Sequence, residues 1–305
     1  MARELLITND LAESARTVFE ATMLASVRER GRFVVCLAGG GTPLGAYRAL
    51  AERRELPWDQ TYVFWGDERF VPPTSPDSNA RAARDALLRH VPVPADQVFA
   101  WPTPQEDDAR AAADTAVGTV ARHDAENRHD RPRDAARGGD GALLTEARVA
   151  AETYAATLQR VLGDRPTFDL QLLGLGADGH TASLFPGDTG ALTTTGAGAG
   201  TSSDSSPGAV PTEVEPTASL TLATRPYGVE HVRLSLTANA LSRSRTVVFL
   251  VSGEAKRAAL VATLQGGDAR SYPARAVTAL ERLVWITDLP FPPYGRSAYR
   301  SFGAS

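Results

Sequence analysis

The segment Phe168-Asp-Leu-Gln-Leu-Leu-Gly-Leu-Gly-Ala-Asp-Gly-His-Thr-Ala-Ser-Leu-Phe-Pro186 decides the reading of the fold. Its opening stretch, 168–173, is a short apolar run and reads as a buried strand. The glycines after it read as a loop. A carboxylate, Asp178, and an imidazole, His180, therefore stand just past a strand end. In an open α/β sheet the crevice beyond the strand ends is where ligands bind. Two titratable groups placed there point to proton chemistry.

Working outward, four more runs share this character: Phe33–Leu37, Thr61–Trp65, 246–251 and 283–287. They are short, mostly continuous and rich in Val, Leu, Ile and Phe, as expected where helices cover both faces of a sheet. Helical stretches lie between them. Leu11–Arg30 carries apolar residues at helical spacing. The stretch 42–50 opens with Thr then Pro, a cap residue followed by proline at the first helical position. Stretches 78–89, 147–162 and 254–264 complete the alternation, which predicts an α/β fold with a largely parallel sheet. Two segments break the pattern. Residues 104–147 are rich in Ala, Asp and Arg, and 187–219 in Gly, Ser, Thr and Ala. Neither can bury enough apolar surface to offset its ordering entropy. Both are expected to be loop insertions in a single domain over residues 1–305, the first partly helical.

Composition narrows the partners. The 305 residues are 43% hydrophobic and 22% charged, ordinary for a soluble globular protein. A net charge of −4 without a long basic run argues against nucleic-acid and membrane binding. The single cysteine, Cys36, excludes an intramolecular disulfide and suits a reducing cytosol. Met1-Ala-Arg-Glu-Leu-Leu lacks the apolar run of a signal peptide, and no apolar stretch approaches the ~20 residues of a membrane span. A cytoplasmic protein is expected; oligomeric state is left open.

Ala38-Gly-Gly-Gly-Thr-Pro43 directly follows one strand. Glycines let successive backbone N–H groups turn toward one point, and a helix N-terminus adds the positive end of its dipole. Gly39, Gly40 and Gly41 are therefore candidate phosphate ligands, joined by the Thr42 hydroxyl. No Gly-Lys-Ser/Thr follows, so this is not a Walker loop. After a second strand come Trp65-Gly-Asp-Glu-Arg-Phe-Val-Pro72 and Asp77-Ser-Asn79. Arg69 offers a planar fork for a phosphate or carboxylate. The plainer alternative is a surface salt bridge to Asp67 or Glu68.

Gly174, Gly176 and Gly179 match G-x-G-x-x-G. A dinucleotide site needs a second strand ending in an acid about 20 residues later, whereas here the chain enters the Gly/Ser/Thr segment. No nicotinamide or flavin cofactor is expected. Of the five histidines, His90, His123, His129 and His231 read as solvated or structural. Asp178 sets His180 apart, because a nearby carboxylate orients an imidazole and raises its basicity. No cluster has metal-ligand spacing, so no metal is expected. Arg225 stands before a further strand. It either adds charge to the anion site or is an ordinary loop arginine.

Taken together, these segments resemble the 6-phosphogluconolactonase family. The family's Ser-Gly-Gly-Ser-Thr-Pro is similar to Ala38-Gly-Gly-Gly-Thr-Pro43. Its Asp-Glu-Arg followed by Asp-Ser-Asn resembles Asp67-Glu-Arg69 and Asp77-Ser-Asn79. Its Gly-x-Gly-x-Asp-Gly-His-Thr-Ala-Ser-Leu-Phe-Pro matches from Gly174 to Pro186 throughout. Leu-Thr-Leu-x-x-x-Asn is similar to the stretch 234–241, and Gly-Glu-x-Lys to 253–256. The resemblance spans the chain outside the two insertions. It departs at Ala38 and Gly41, where the family usually has serines, and at Arg225, commonly a lysine.

The resemblance implies a doubly wound, mostly parallel sheet with helices on both faces, like glucosamine-6-phosphate deaminase and ribose-5-phosphate isomerase. It implies hydrolysis of 6-phospho-D-glucono-1,5-lactone, a small-molecule sugar phosphate, without a cofactor. His180 would be the general base and Asp178 its orienting partner. Gly39, Gly40, Gly41, Thr42, Asp67, Arg69 and Arg225 would hold the substrate, chiefly its phosphate. Backbone N–H groups around 176–179 are the suggested oxyanion donors. Two alternatives stay open: an amino-sugar-phosphate deaminase or isomerase, and a non-catalytic sugar-phosphate sensor on the same fold. The deaminases carry an extra acid after the histidine, which Thr181-Ala-Ser-Leu-Phe-Pro186 lacks.

Overall fold

The computed structural model describes residues 2–105, 135–188, 219–226, 228–290 and 300–303. The first half of the chain forms β1 (Ala2–Ile7), α1 (Leu11–Arg30), β2 (Phe33–Leu37), α2 (Gly41–Ala51), β3 (Thr61–Trp65), β4 (Asp67–Arg69) and α3 (Asn79–Ala83). Then follow α4 (Ala135–Leu162), β5 (Phe168–Gly174), β6 (Thr221–Thr224), β7 (Arg233–Leu236), α5 (Ala238–Ser242), β8 (Ser244–Val251), α6 (Arg257–Gln265), β9 (Arg282–Thr287) and β10 (Arg300–Gly303).

Seven strands form a parallel sheet in the order β10-β1-β9-β8-β5-β2-β3. The five strands legible in the sequence are the five contiguous ones from β9 to β3. All are almost wholly buried. The strand β1 escapes notice because it is half-buried, with only Leu5 fully enclosed. The core is continuous, and its largest side chains include Trp58, Trp65, Trp285, Tyr47 and Tyr154. In α1, Ala15, Phe19, Met23 and Ser26 fall on one buried stripe. Asp10 accepts from the Glu13 N–H to cap its start, and Gly31 ends it in a left-handed turn.

Chain order and spatial order place the ligand crevice. From β2 the chain moves outward to β3, whereas from β5 it returns to the main sheet on the other side, at β8. The neighbours β2 and β5 therefore flank a topological switch point, and both of their carboxyl ends open onto it. The loop after β2 holds Gly39 to Thr42. The loop after β5 holds Asp178 and His180.

Three short strands build a separate antiparallel sheet, β4-β7-β6. Gly66 joins the two sheets. Its N–H donates to Leu37 O at the end of β2, and its carbonyl accepts from Leu236 N at the end of β7. Two elements differ from the sequence reading. The second helix begins at Gly41 with Gly40 as its cap residue, so Thr42 lies inside the first turn and does not cap it. The fourth begins at Ala135, twelve residues before the expected 147, inside the stretch read as an insertion. Leu143 and Leu144 pack against the core and Ala147 is buried, which holds the extra turns to the body. The remainder of that stretch, 106–134, and most of the second, 189–218, lie outside the described residues.

The free edge of β3 is covered. Phe99 N donates to Val63 O, and the Trp101 indole N–H donates to Trp65 O at 2.9 Å. The Tyr154 hydroxyl of α4 accepts from Trp65 N at 2.9 Å and donates to Phe99 O at 3.2 Å. Edge strands present unpaired backbone groups, and here side chains and a short crossing satisfy them. Tyr154→Phe keeps the ring stacked on Trp101 but leaves the buried Trp65 N–H without an acceptor. It is expected to lose roughly 1–3 kcal/mol of stability by denaturant titration. An unchanged midpoint would show that this hydroxyl does not secure the edge.

Candidate active site

The cleft at the switch point encloses about 280 Å³. The loop 38–43 lines it, as do 174–176 with His180, Thr181 and Ala182, then Asp67, Arg69 and Asn79, and finally Lys256. Each group arrives on a different element, and each has a local reason for its position.

The glycine loop turns sharply into α2. Because Gly40 offers no side-chain acceptor, the first-turn amides of α2 have no side-chain cap. Such amides, with the helix dipole behind them, favour an anion. The loop is pinned from beneath by Tyr47, whose buried hydroxyl accepts from Ala38 N at 3.0 Å and donates to Ala38 O at 2.8 Å. Gly39 runs so close to Asn79 that a Cβ there would sit 1.9 Å from its Oδ1. That contact ties the loop to the strand carrying Arg69.

The strand β4 sorts its three residues by alternation. Glu68 points away from the cleft and is 1% exposed. Its carboxylate accepts from Asn79 N at 2.7 Å, Ala80 N at 2.8 Å and Arg69 N at 2.8 Å, and so caps α3. Burial pushes its carboxyl above the ordinary range, with these donors opposing. Asp67 lines the cleft and accepts from the Ser183 hydroxyl at 2.8 Å. Burial raises it too, against Ser183 and the nearby arginines. Among the described residues Arg69 makes no ion pair with either acid, which excludes the salt-bridge alternative for it. Instead its Nη1 donates to Asp77 O and to Asn79 Oδ1, each at 2.8 Å.

The His180 Nδ1–H donates to Asp178 Oδ1 at 2.6 Å, and the same oxygen accepts from His180 N at 3.1 Å. The imidazole stacks on Phe185 with centroids 4.9 Å apart. The other ring nitrogen, Nε2, has no hydrogen-bond partner among the described residues. The loop around this pair is closed on itself. Gly176 N donates to His180 O, Gly179 N to Gly176 O, and the Thr181 hydroxyl to Gly174 O. Two of the amides suggested as oxyanion donors are therefore already committed to loop carbonyls. Ala182, at φ 48°, holds the left-handed conformation without being glycine, a strain of the kind that collects at functional sites.

Arg225 and the described members of the other four histidines, read as solvated or structural, fall elsewhere. Arg225 follows β6 and is not among the residues lining the cleft. His90 contacts Asp85 O at 3.1 Å and His231 contacts Asp77 Oδ2 at 3.2 Å, away from the dyad. His123 and His129 lie outside the described residues. Lys256 was missed as a site residue although its Gly-Glu-x-Lys motif was legible; the signal was a lysine just past the end of β8. Burial pushes its ammonium below the ordinary lysine range, with Asp288 opposing.

Residues 8–285 match the family described as glucosamine-6-phosphate isomerases/6-phosphogluconolactonase. The chain belongs to this family. A 6-phosphogluconolactonase of Synechocystis is 35% identical over 91% of both chains. One from Mycobacterium tuberculosis is 31% identical, over 87% of this chain and 85% of its own. The crystal structure of the Thermotoga maritima 6-phosphogluconolactonase superimposes with a TM-score of 0.64 at 25% identity, over 93% of this chain and 99% of that one. A monomeric glucosamine-6-phosphate deaminase shares the fold, with a TM-score of 0.60 at 18% identity. Within the family, the Asp-Gly-His segment of this chain occupies the switch-point loop after β5. No helix among the described residues is long and apolar enough to cross a membrane.

Two outcomes follow from the geometry. A Cβ on residue 176 would lie 2.1 Å from His180 Nδ1 and 2.5 Å from Asp178 Oδ1. Gly176→Ala is therefore expected to lower kcat sharply while binding of 6-phosphogluconate persists; unchanged kcat would show that the dyad tolerates displacement. For Lys256, the charge is present at low pH and lost as pH rises through a value below the ordinary lysine range of about 10.4. Affinity for 6-phosphogluconate should decline across that alkaline window. Lys256→Arg should remove the decline, since guanidinium does not titrate there. A decline identical in both proteins would assign it to another group.

Proposed function

We propose that His180 is the general base of a lactone hydrolase and that Asp178 fixes its tautomer. The chain hydrolyses 6-phospho-D-glucono-1,5-lactone to 6-phospho-D-gluconate, the second step of the oxidative pentose phosphate pathway. The observation that carries the assignment of roles is the 2.6 Å contact between His180 Nδ1 and Asp178 Oδ1 at a cleft also lined by Arg69, Lys256 and the glycine loop. With Nδ1–H held by Asp178, the lone pair at Nε2 is available. It takes a proton from water as the water oxygen bonds to the lactone carbonyl carbon. The carbonyl oxygen becomes an oxyanion. When that intermediate collapses, the bond to the ring oxygen breaks and the imidazolium returns its proton to that oxygen. The product is an open-chain acid with a new hydroxyl. A positioned base of this kind contributes roughly 10²–10⁴-fold in rate.

The phosphate belongs to the other groups. Gly39, Gly40, Gly41 and Thr42 offer the first-turn amides and a hydroxyl, Arg69 a partly committed fork, and Lys256 a point charge. Asp67, which lines the same cleft, is an acceptor for a substrate hydroxyl. Binding energy from the phosphate, which takes no part in the reaction, is then available to place the carbonyl for attack. Ser183 supports the arrangement by tying the His180 loop to β4 through Asp67.

His180→Ala should lower kcat by roughly 10²–10⁴-fold, measured by pH-stat with the spontaneous opening of the lactone subtracted. Affinity for 6-phosphogluconate and the thermal midpoint should change little, because the imidazole is partly exposed and the phosphate is held elsewhere. Asp178→Asn should lose less. Near-normal turnover in folded His180→Ala would sink the mechanism.

A further inference from the structure

Arg69 and Arg233 stand directly opposite each other in the antiparallel ladder of β4 and β7. Like charges so placed repel. The neighbouring pair on the same face is Asp67 and Ser235, and the Asp67 carboxylate is engaged by Ser183. Arg69 commits Nη1 to Asp77 and Asn79. Arg233 commits nothing: among the described residues its guanidinium makes no hydrogen bond and no ion pair. Its Nη1 is buried without an acceptor. Five other buried side-chain polar atoms lack a partner, on Trp65, Gln97, Gln171, Thr263 and Trp285, and all are neutral. Arg233 is the one charge among them.

A half-buried guanidinium facing a second guanidinium has given up water without gaining an acceptor. Burial holds Arg233 below its ordinary range and Arg69 adds to this; Asp67, Asp77 and Glu68 oppose it from beyond contact distance. Sequence supplies simple ways to avoid this state, such as a glutamine or methionine at 233. What the arrangement gains is a second positive charge directly behind cleft-lining Arg69, neither of the two neutralised by an acid in contact. A phosphomonoester carries close to two negative charges at neutral pH, and a charge one strand behind Arg69 adds to the field that holds it.

We infer that Arg233 supplies a further positive charge to the phosphate site, beyond Arg69 and Lys256, acting beside Arg69 from behind the cleft lining and favouring a phosphomonoester dianion there. The inference rests on the reading that Arg69 holds the phosphate. It makes Arg233 a positioning residue for binding, with no part in the proton transfers at His180.

The test uses the full chain with Arg233→Gln, and Arg233→Met as a second neutral variant that keeps the buried stem. Thermal melts without ligand, titration with 6-phosphogluconate, and steady-state kinetics are compared with wild type and Arg69→Gln. Removing a desolvated, unpartnered charge should raise the ligand-free Tm in at least one of the two variants. The same change should weaken 6-phosphogluconate binding by about tenfold, the loss of one nearby positive charge in a half-buried setting. KM should rise in parallel, with kcat changing far less. The double variant with Arg69→Gln should lose less than the product of the two single losses, because both act on one phosphate. A lowered ligand-free Tm in both variants with unchanged affinity would make Arg233 structural and overturn the inference, as would failure of both to fold. Intact affinity in the Arg233 variants beside a large loss in Arg69→Gln would overturn it while leaving the phosphate reading in place. Intact affinity in Arg69→Gln as well would overturn both.

Discussion

Two neighbouring parallel strands whose chains depart in opposite directions cannot have their carboxyl ends bridged by a short connection. In this molecule β2 and β5 are that pair, and the gap between their ends is the cleft. Everything chemical is arranged around it. The connection leaving β2 must turn at once into α2, so it brings uncapped amides to the gap. The connection leaving β5 must double back before the chain reaches the small sheet, so it forms the closed loop that holds the Asp178–His180 pair. The His180 loop and the uncapped amides of α2 thus meet because of winding, although they are more than a hundred residues apart in sequence.

The small antiparallel sheet completes the site through alternation. Its strand β4 has only three residues, and each points where its neighbour does not. Glu68 is spent inward on the N-terminus of α3, where three backbone donors and the Ser78 hydroxyl offset the burial of its charge. Because Glu68 is fixed there, Asp67 and Arg69 face the other way. Asn79, at the start of the helix Glu68 caps, then accepts from Arg69 and donates to Asp67 O at 3.0 Å. One buried acid therefore orients both cleft-lining side chains without touching either side chain's head group.

This construction concentrates unfavourable features around the cleft. Asp67 is a buried acid with a raised pKa, Ala182 is strained, and two arginines face each other. A fold optimised only for stability would remove each of them. The hydrophobic core provides the offset. It is continuous from the Phe19–Phe33 contact of α1 with β2 to the stacked Phe249–Trp285 pair of β8 and β9. The rigid parallel sheet can hold groups in positions that their own solvation opposes.

The sequence by itself determined the class of the fold and which side chains its principal loops carry. The five central strands are legible because burial on both faces requires nearly continuous apolar runs, and a run such as Phe33–Leu37 has no competing period. The dyad is legible because Asp178 and His180 are two residues apart and their contact is local. The glycine loop and Arg69 are legible because each follows a strand directly. Only the tertiary structure decided how these pieces combine. The edge strand β1 has a mixed, half-buried pattern, and β4 is too short to carry a period. Lys256 and Asn79 join the cleft through packing between elements far apart in the chain, which local sequence does not encode. The Arg69–Arg233 pairing is a matter of strand register across 164 positions; register depends on which strands meet, and that is settled only when the core forms.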